Sequence, residues 1–478
     1  MFKVSRLLAK MMLVVPGALP GLAGAAWADD VAPLVSRPVE SLAMEAAAGA
    51  EPGLPAGDVS TATTVPCSPY AGGCGCGGLP CETAAGGSLW EQDKLTGDWL
   101  GLRPSLAEQG VTIDLSTTQY YQGVTHGGVE ERFRYGGRND YFVNVDGEKA
   151  GLWKGLFVVL HGESRYGESA SPLAGTLLPA NLALSLPKPN ESVTALSGVK
   201  VMQFLSEEFM VFGGKINTFD DFKQPLTGAG ATNGFMNTAL MLNPVLVRTV
   251  PYSTYGAGCA VLHELQPVLT FAVFDTNTTS TTSGFDTFFD NGASLVASAN
   301  LPVELLGLPG HQGVIGTYST GTYTNLSPSV YLAPGGVVVE STPKQGSWSL
   351  GYNFDQAFYV SPSDPRKRWG VFGNLGIADS NPSPIQWMAS AGIAGTSPLA
   401  RRENDTFGAG YFYVGTSEAL KDFAPRLLPL EDEQGVELYY NIAVTPWCHI
   451  TPDIQWLNPF RERVESSSLV GVRAKIDF

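Results

Sequence analysis

The stretch LVGVRAKIDF, residues 469–478, decides the fold, because its side chains alternate strictly in character. The apolar or small positions are Val470, Val472, Ala474, Ile476 and Phe478, and the positions between them are Gly471, Arg473, Lys475 and Asp477. Since successive side chains of a strand point to opposite faces, one face is apolar and the other carries three charges. Such a strand, ending on an aromatic residue, is typical of the closing strand of an outer-membrane β-barrel, in which lipid meets the apolar face and lumen water the charged one.

The N-terminus agrees with an exported chain. Basic residues Lys3, Arg6 and Lys10 precede an apolar run over 11–25, and Ala26-Trp27-Ala28 has the pattern of a cleavage site. This predicts a secretory signal peptide over residues 1–28. A retained membrane helix is disfavoured, because Pro16 and Pro20 interrupt a run already shorter than the roughly 20 apolar residues that a span needs.

Residues 29–88 are rich in Ala, Pro, Gly, Ser and Thr and show no sustained periodicity, which predicts a disordered periplasmic leader. Four cysteines cluster in it: Cys67, Cys74, Cys76 and Cys81. In an exported chain, two disulfides of undetermined connectivity are favoured over a metal site, since paired CxxC motifs and a nearby histidine are missing from the cluster. Neither a metal nor a cofactor is therefore predicted.

Residues 89–478 are predicted to form an all-β transmembrane antiparallel barrel that follows a short amphipathic helix within 98–110. Pro104 requires this helix to start late or to bend. Strand-like segments recur at 111–121, 140–145, 156–167, 193–204, 209–217 and 253–264, and then onward to the terminus. Strands of roughly ten residues with alternating short turns and longer loops give about 16 strands in this length, with 18 as the alternative, and such a barrel leaves an aqueous channel.

Charge and motifs restrict the function. Removing the three signal-peptide cations lowers the formal charge from −16 to −19, which argues against nucleic acid and against a pore that collects anions. The five histidines are dispersed, and the sequence has no GxSxG elbow, Walker loop or dinucleotide fingerprint. The pairs Glu207-Glu208 and Asp220-Asp221 are adjacent, so on a strand they face opposite ways and cannot flank a glycosidic bond. The chain is therefore predicted not to be an enzyme.

If both termini are periplasmic, residues 168–191 and 218–250 become the second and third extracellular loops, and long loops in a wide barrel commonly fold inward. Together with the lumen faces of the third and fifth strands, they supply the candidate constriction residues: His161, Glu163, Arg165, Lys215, Asn217, Phe219, Asp220, Asp221, Phe222 and Arg248. Mixed charges can exchange hydrogen bonds with sugar hydroxyls, and Phe219 and Phe222 can stack on a pyranose ring. The alternative is that these charges hydrate the wall or pin the loops to it by ion pairs.

Several segments resemble the carbohydrate-selective porins of the OprB type. They are LTGDWLGLRPSLAEQGVTIDLS (95–116), LWKGLFVVLHGESRYGES (152–169), FGGKINTFDDF (212–222), VELYYNIAVTPWCHITPDIQWLNP (436–459) and the terminal VGVRAKIDF. The resemblance covers residues 95–478 and is loose over 277–350 and 417–435; the Cys-rich leader departs from it. It implies a 16-stranded outer-membrane barrel through which monosaccharides such as glucose diffuse passively. A general or other-solute porin is the alternative, and a barrel enzyme a more distant one. The expected partners are carbohydrate solutes, outer-membrane lipids and the assembly machinery, which would read Phe478; whether the barrel is a monomer or a trimer stays open.

Overall fold

The structure, a computed structural model, describes residues 88–189, 191–220, 224, 226–228, 231–333, 336–340, 342–422 and 429–478. The predicted signal peptide, the leader and its four cysteines lie outside these residues, as do Asp221 and Phe222. The two remaining cysteines, Cys259 and Cys448, are free and partly buried.

Sixteen antiparallel strands form a closed barrel in which sequential neighbours pair and β1 closes the ring against β18. The strands are β1 Val111–Gly128, β2 Phe133–Asp146, β3 Leu156–Gly167, β4 Val193–Ser206, β5 Phe209–Asn217, β6 Ser253–His263, β7 Gln266–Asp275, β8 Ala293–Leu305, β9 Leu308–Tyr323, β12 Lys344–Val360, β13 Arg368–Ala378, β14 Ile385–Thr396, β15 Thr406–Thr416, β16 Glu433–Thr445, β17 Cys448–Asn458 and β18 Glu465–Asp477. Two further strands, β10 Ser329–Ala333 and β11 Gly336–Glu340, pair only with each other in the loop between β9 and β12. The predicted barrel and its strand number are confirmed.

The predicted N-terminal helix is present but shorter. It spans Leu102–Glu108 (α1) and starts after Gly101, so that Pro104 falls in its first turn, where the missing N–H costs nothing. In the described part of the chain, three one-turn α-helices lie in loops, α2 Ser171–Ala174, α3 Thr238–Met241 and α4 Glu418–Lys421, together with a 3-10 turn at Pro244–Leu246. No helix in the described ranges is long and apolar enough to cross a membrane. Strand β2 is longer than predicted, because Gly136 and Gly137 hide its alternation in the sequence.

Burial in the last strand is the reverse of that in a soluble sheet. Val472 is 45% exposed, whereas Arg473, Lys475 and Asp477 on the other face are at most 5% exposed. An apolar face that is open and a charged face that is enclosed match lipid outside and a polar lumen inside. The predicted lipid face of β18 is thereby confirmed.

Connections at the two ends of the barrel differ in length. Two-residue turns join β4 to β5, β6 to β7 and β16 to β17, and both ends of the barrel sequence lie on that side, as expected of the periplasmic side. The opposite, extracellular side carries the long connections. We call residues 168–192 loop L2, residues 218–252 loop L3 and residues 276–292 loop L4.

The main apolar core sits inside the barrel rather than between sheets. Its fully buried members come largely from L3, including Phe235, Leu240 and Leu246, and from L2, including Leu182 and Leu184. They pack on lumen-facing residues of the wall such as Phe372 and Phe412. The expectation that both loops fold inward is confirmed, and part of the lumen is packed rather than aqueous.

Candidate functional site

A buried charged cluster on β2 and β3 holds the start and the end of L3. We call Arg138, Asp140, His161 and Glu163 the anchor cluster. The Arg138 guanidinium donates from Nε to Asp140 Oδ1 at 2.8 Å and also contacts Glu163. All four side chains are nearly inaccessible, and Glu163 is fully buried. Buried charges are tolerated only when they are paired, so the guanidinium stabilises the two carboxylates.

Both ends of L3 bind to this cluster. At the start of the loop, Asp220 Oδ1 lies 2.9 Å from His161 Nδ1, while the other ring nitrogen lies 3.2 Å from Asp140 Oδ1. In its doubly protonated form the imidazole donates to both carboxylates. At the end of the loop, the Tyr252 hydroxyl donates to Glu163. The anchor cluster thus fastens the two ends of one loop to the same stretch of wall.

Asn217 connects these contacts. Its side-chain amide donates to Ser197 Oγ at 3.1 Å and lies 3.3 Å from the Tyr252 hydroxyl, and its Oδ1 accepts from the Phe219 amide at 3.0 Å. Asn217 is the last residue of β5, where the chain turns into the lumen. The contact shapes the turn that begins L3.

The middle of L3 is fixed to the wall on β16 and β18, on the other side of β1 from the anchor cluster. The Glu437 carboxylate on β16 accepts from the amides of Met236 and Asn237 at 2.6 and 2.8 Å. From β18, Arg473 Nη1 donates to the carbonyls of Ala231 and Gly234, both at 2.9 Å. Because the loop leaves its backbone groups unpaired with other backbone, these charged side chains satisfy them inside the barrel.

Loop L2 is held in the same manner. Arg165 Nε donates to the Leu184 carbonyl at 2.6 Å and Nη1 to the Glu191 carbonyl at 2.8 Å. The Glu433 carboxylate accepts from the consecutive amides of Leu177 and Leu178. Each inward loop therefore has one buried arginine for its carbonyls and one buried glutamate for its amides.

Glycines on the lumen face let L3 approach the wall. A Cβ at Gly410 would lie 2.6 Å from Leu240 Cδ2, and one at Gly376 would lie 2.3 Å from Asn243 Oδ1. At Gly408 it would lie 2.7 Å from the Phe235 ring. Glycine in a strand commonly marks such a close approach, so β13 and β15 form a surface shaped to receive the loop.

The structure brings together His161, Glu163, Asn217 and Asp220 from the candidate set and places Arg165 next to them on β3. Their side chains contact loops rather than open lumen. This arrangement corresponds to the alternative given above, in which the charges pin the loops to the wall instead of contacting sugar. Phe219 is enclosed with its ring edge-on to Tyr252, with centroids 4.6 Å apart, so its ring is not open for stacking. Arg248, near the end of L3, lies over the Tyr323 ring at 4.8 Å, and burial lowers the pKa of its guanidinium from the ordinary value.

One prediction needs correction: Lys215 does not share the lumen face with Asn217. Lys215 lies opposite Tyr255 of β6. Tyr255 is on the same, outward face of β6 as the exposed residue Ala257. The Lys215 Nζ donates to the Thr282 carbonyl of L4 at 2.8 Å. The period of two fails between these positions because Asn217 ends the strand and turns inward. Lys215 therefore belongs to the outer loop contacts.

Sequence reasoning missed Arg138, Glu433, Glu437 and Arg473 as functional residues. The alternation of apolar and polar residues already placed Glu437 and Arg473 on the face opposite to their apolar neighbours. This lumen-facing position was the signal from which they could have been found. Asp140, His161 and Glu163 also offer ligating atoms within 4.8 Å of one another. The Arg138 guanidinium contacts both carboxylates and repels a further cation, so we assign the cluster to loop anchoring.

Comparison with known proteins gives concordant matches. The family described as carbohydrate-selective porin, OprB family, matches residues 130–478. Porin B of Pseudomonas aeruginosa is 24% identical over 216 residues, which are 40% of this chain and 48% of that protein. The chain thus aligns with about half the length of this curated relative.

Two solved structures of Pseudomonas putida OprB share the fold. The structure at high pH superposes with a TM-score of 0.71 at 18% identity, over 82% of this chain and 100% of that chain. The structure at low pH gives 0.50 at 15% identity, over 81% and 99% of the two chains. At such identities the likeness establishes the barrel fold.

Proposed function

Because this chain belongs to the OprB family of carbohydrate-selective porins, we propose that its barrel lets monosaccharides such as glucose diffuse passively across the outer membrane. The family and the closed barrel make the chain an outer-membrane protein with the fold of a channel rather than of an enzyme. Selective passive diffusion needs a water-accessible path and a constriction that discriminates between solutes, and it needs no energy source.

The anchoring of L2 and L3 inside the barrel is the observation that carries this proposal. A 16-stranded barrel without inward loops leaves a wide aqueous channel. Here two loops occupy part of that lumen. L3 is tied to the wall at both ends and in the middle, and L2 is tied in the middle and near its end. The remaining path is narrowed by rigid elements, which is what selection by solute size and shape requires.

The anchoring residues influence the passage of solutes indirectly, because they fix the positions of the two loops. His161, Glu163, Asn217 and Asp220 set the position of the L3 ends, and Arg165 sets that of L2. Phe219 packs within the L3 end, and Arg248 holds its far end beside β9. Asp221 and Phe222, which follow Asp220 directly, remain candidates for direct contact with sugar. Outer-membrane lipids and the assembly machinery that would read Phe478 complete the proposed partners.

Glucose should reduce the ion current through single channels in planar bilayers, because a sugar in the narrow part of the path displaces ions and water. The reduction should saturate with concentration, as expected of occupancy of a site. A current that is unaffected by glucose, or one that falls equally with sugars and with unrelated solutes of the same size, would favour a general porin.

Arg165→Ala and Lys215→Ala form a matched pair, because each removes a buried cation bound to loop carbonyls. Arg165→Ala should release L2, raise ion conductance and cost about 1.5–3 kcal/mol in the free energy of unfolding, the range for hydrogen bonds to charged groups. Lys215→Ala, which frees an outer loop, should leave conductance and glucose block unchanged. Equal conductance changes in the two variants would remove L2 from the constriction.

A further inference from the structure

Below the anchor cluster, the lumen face of four adjacent strands carries a group of apolar side chains beside the polar residues Asn144, Asp146 and Lys200. The apolar side chains are Phe142 on β2, Phe157 on β3, Met202 and Phe204 on β4, and Phe212 on β5. In the strand register Phe157 lies opposite Met202, and Met202 lies opposite Phe212. Residues opposite each other in antiparallel strands share a face, so Phe157, Met202 and Phe212 lie side by side. We call the five side chains the aromatic track; Phe142 is its upper end, opposite His161.

Exposure of the alternate residues shows that the aromatic track faces the lumen. Tyr141, Val201 and Leu205 are exposed on the outer surface, with Leu205 at 61%. Phe142, Met202 and Phe204 are their immediate neighbours in sequence and therefore face inward. Phe142, Phe157, Met202 and Phe204 are only partly buried, so they form the open part of the track. Phe212 is 8% exposed and belongs to a buried apolar cluster with Val250 of L3, against which Met202 and Phe204 pack.

An apolar strip is unusual in a barrel lumen, which is generally polar. The periplasmic half of the wall on β17 and β18 follows that rule, with inward residues His449, Thr451, Lys475 and Asp477. Apolar side chains are thus concentrated at the track, whereas the wall on β17 and β18 is polar. A partly exposed aromatic surface next to water costs hydration free energy unless a passing solute covers it.

Pyranose sugars match this division. The ring carbons carry C–H groups on both faces, which are apolar, and the hydroxyl groups point outward from the ring edge. We infer that the aromatic track is a stacking surface for the C–H face of a pyranose in transit, immediately below the constriction. This inference rests on the proposed function and names the part of the path that distinguishes a sugar ring from an open-chain polyol.

Contacts of the track fix its rings. The Phe142 ring stacks on His161 of the anchor cluster, with centroids 3.9 Å apart and planes inclined by 21°, so the track begins where the L3 anchor ends. Phe157 and Phe204 meet edge to face at 5.4 Å. Lys200 Nζ lies 4.9 Å from the Phe212 ring, which places a cation beside the apolar surface at the height of the track. Rigid rings present a flat surface at little entropic cost.

The test compares glucose with sorbitol, an open-chain polyol of the same carbon number, as blockers of single-channel ion current. The double variant Phe157→Leu/Phe204→Leu keeps an apolar surface and leaves the ring on His161 in place. Loss of aromatic faces should raise the half-blocking concentration of glucose about threefold or more, the ratio that corresponds to a typical aromatic contact. The value for sorbitol and the ion conductance should not change.

Phe271→Leu is the control, because Phe271 is 48% exposed on the outer face of β7 and should leave both blockers unaffected. If the double variant folds poorly, Phe204→Leu alone should show a smaller shift in the same direction. An unchanged ratio of glucose to sorbitol in a folded variant would overturn the stacking surface while leaving the sugar porin intact. A wild-type channel that glucose does not block would instead defeat the proposed function.

Discussion

Replacing Val472 by lysine should sharply reduce the amount of folded barrel recovered from the outer membrane. Val472 lies in the middle of β18 on the outer face, between Tyr121 of β1 and Pro452 of β17. A lysine on the lipid face costs about 2–4 kcal/mol near the bilayer midplane. Because β18 also closes the barrel against β1, this penalty falls on the step that completes the ring. Heat-modifiable gel mobility of outer-membrane fractions measures the folded amount.

The depth of a residue in the bilayer supplies the controls for this prediction. Ile476→Lys, one residue before the end of the strand, should be milder, since the cost falls to about 0–1 kcal/mol near the interfaces. Val472→Leu should be neutral. Deletion of Phe478 should lower yield by removing the terminal aromatic residue and the contact of its carbonyl oxygen with Arg103. Wild-type yield of Val472→Lys would contradict the assignment of β18 to lipid.

Arg138→Met should give the largest loss of stability among the lumen variants. The substitution leaves Asp140 and Glu163 buried without their guanidinium partner, and breaking a buried ion pair typically costs about 3–5 kcal/mol. Since His161, Asp220 and Tyr252 bind to the same cluster, both ends of L3 should loosen. We expect a lower temperature of heat modification together with higher ion conductance and weaker glucose block.

The triple variant Arg138→Met/Asp140→Asn/Glu163→Gln separates charge from packing. It removes the carboxylate charges that Arg138→Met leaves unpaired and keeps their shapes, so it should recover much of the lost stability. If Arg138→Met alone behaved like wild type in both assays, the anchor cluster would not hold L3. Recovery of stability without recovery of conductance would show that the charges also set the loop position.

The barrel could be predicted from the sequence because its strands obey a rule of period two that lipid and water enforce along the whole element. The alternation over 469–478 gave the face of each residue, and the segments at 156–167 and 209–217 coincide with β3 and β5. Boundaries were less accurate where small residues remove the contrast between faces, as at Gly136 and Gly137. The helix was overextended because its sequence gives no cap signal at Gly101.

The candidate site was predictable only in part, because a loop inside a barrel is shaped by contacts between distant segments. Alternation places Glu163 in the lumen but does not show whether water, sugar or a loop will cover it. Contacts such as Tyr252 with Glu163 and Met236 with Glu437 join residues far apart in the chain. Lys215 was misplaced for the related reason that a strand end escapes the period of two.

The apolar side chains of L3 illustrate the same limit. Phe235, Leu240 and Val245 lie in a segment without clear periodicity, and the glycines facing them on β13 and β15 explain how they fit. The sequence does contain those glycines, at alternate positions Gly408 and Gly410. Their role becomes readable once the strands are placed side by side.

The most direct test of a carbohydrate porin with a fixed constriction is the swelling rate of proteoliposomes in sugars of increasing size. Purified protein in vesicles should admit hexoses quickly, disaccharides more slowly and a trisaccharide such as raffinose hardly at all, because L2 and L3 narrow the path. Arg165→Ala should shift this limit toward larger sugars. Equal rates for all sizes, or no swelling in any sugar, would contradict the account.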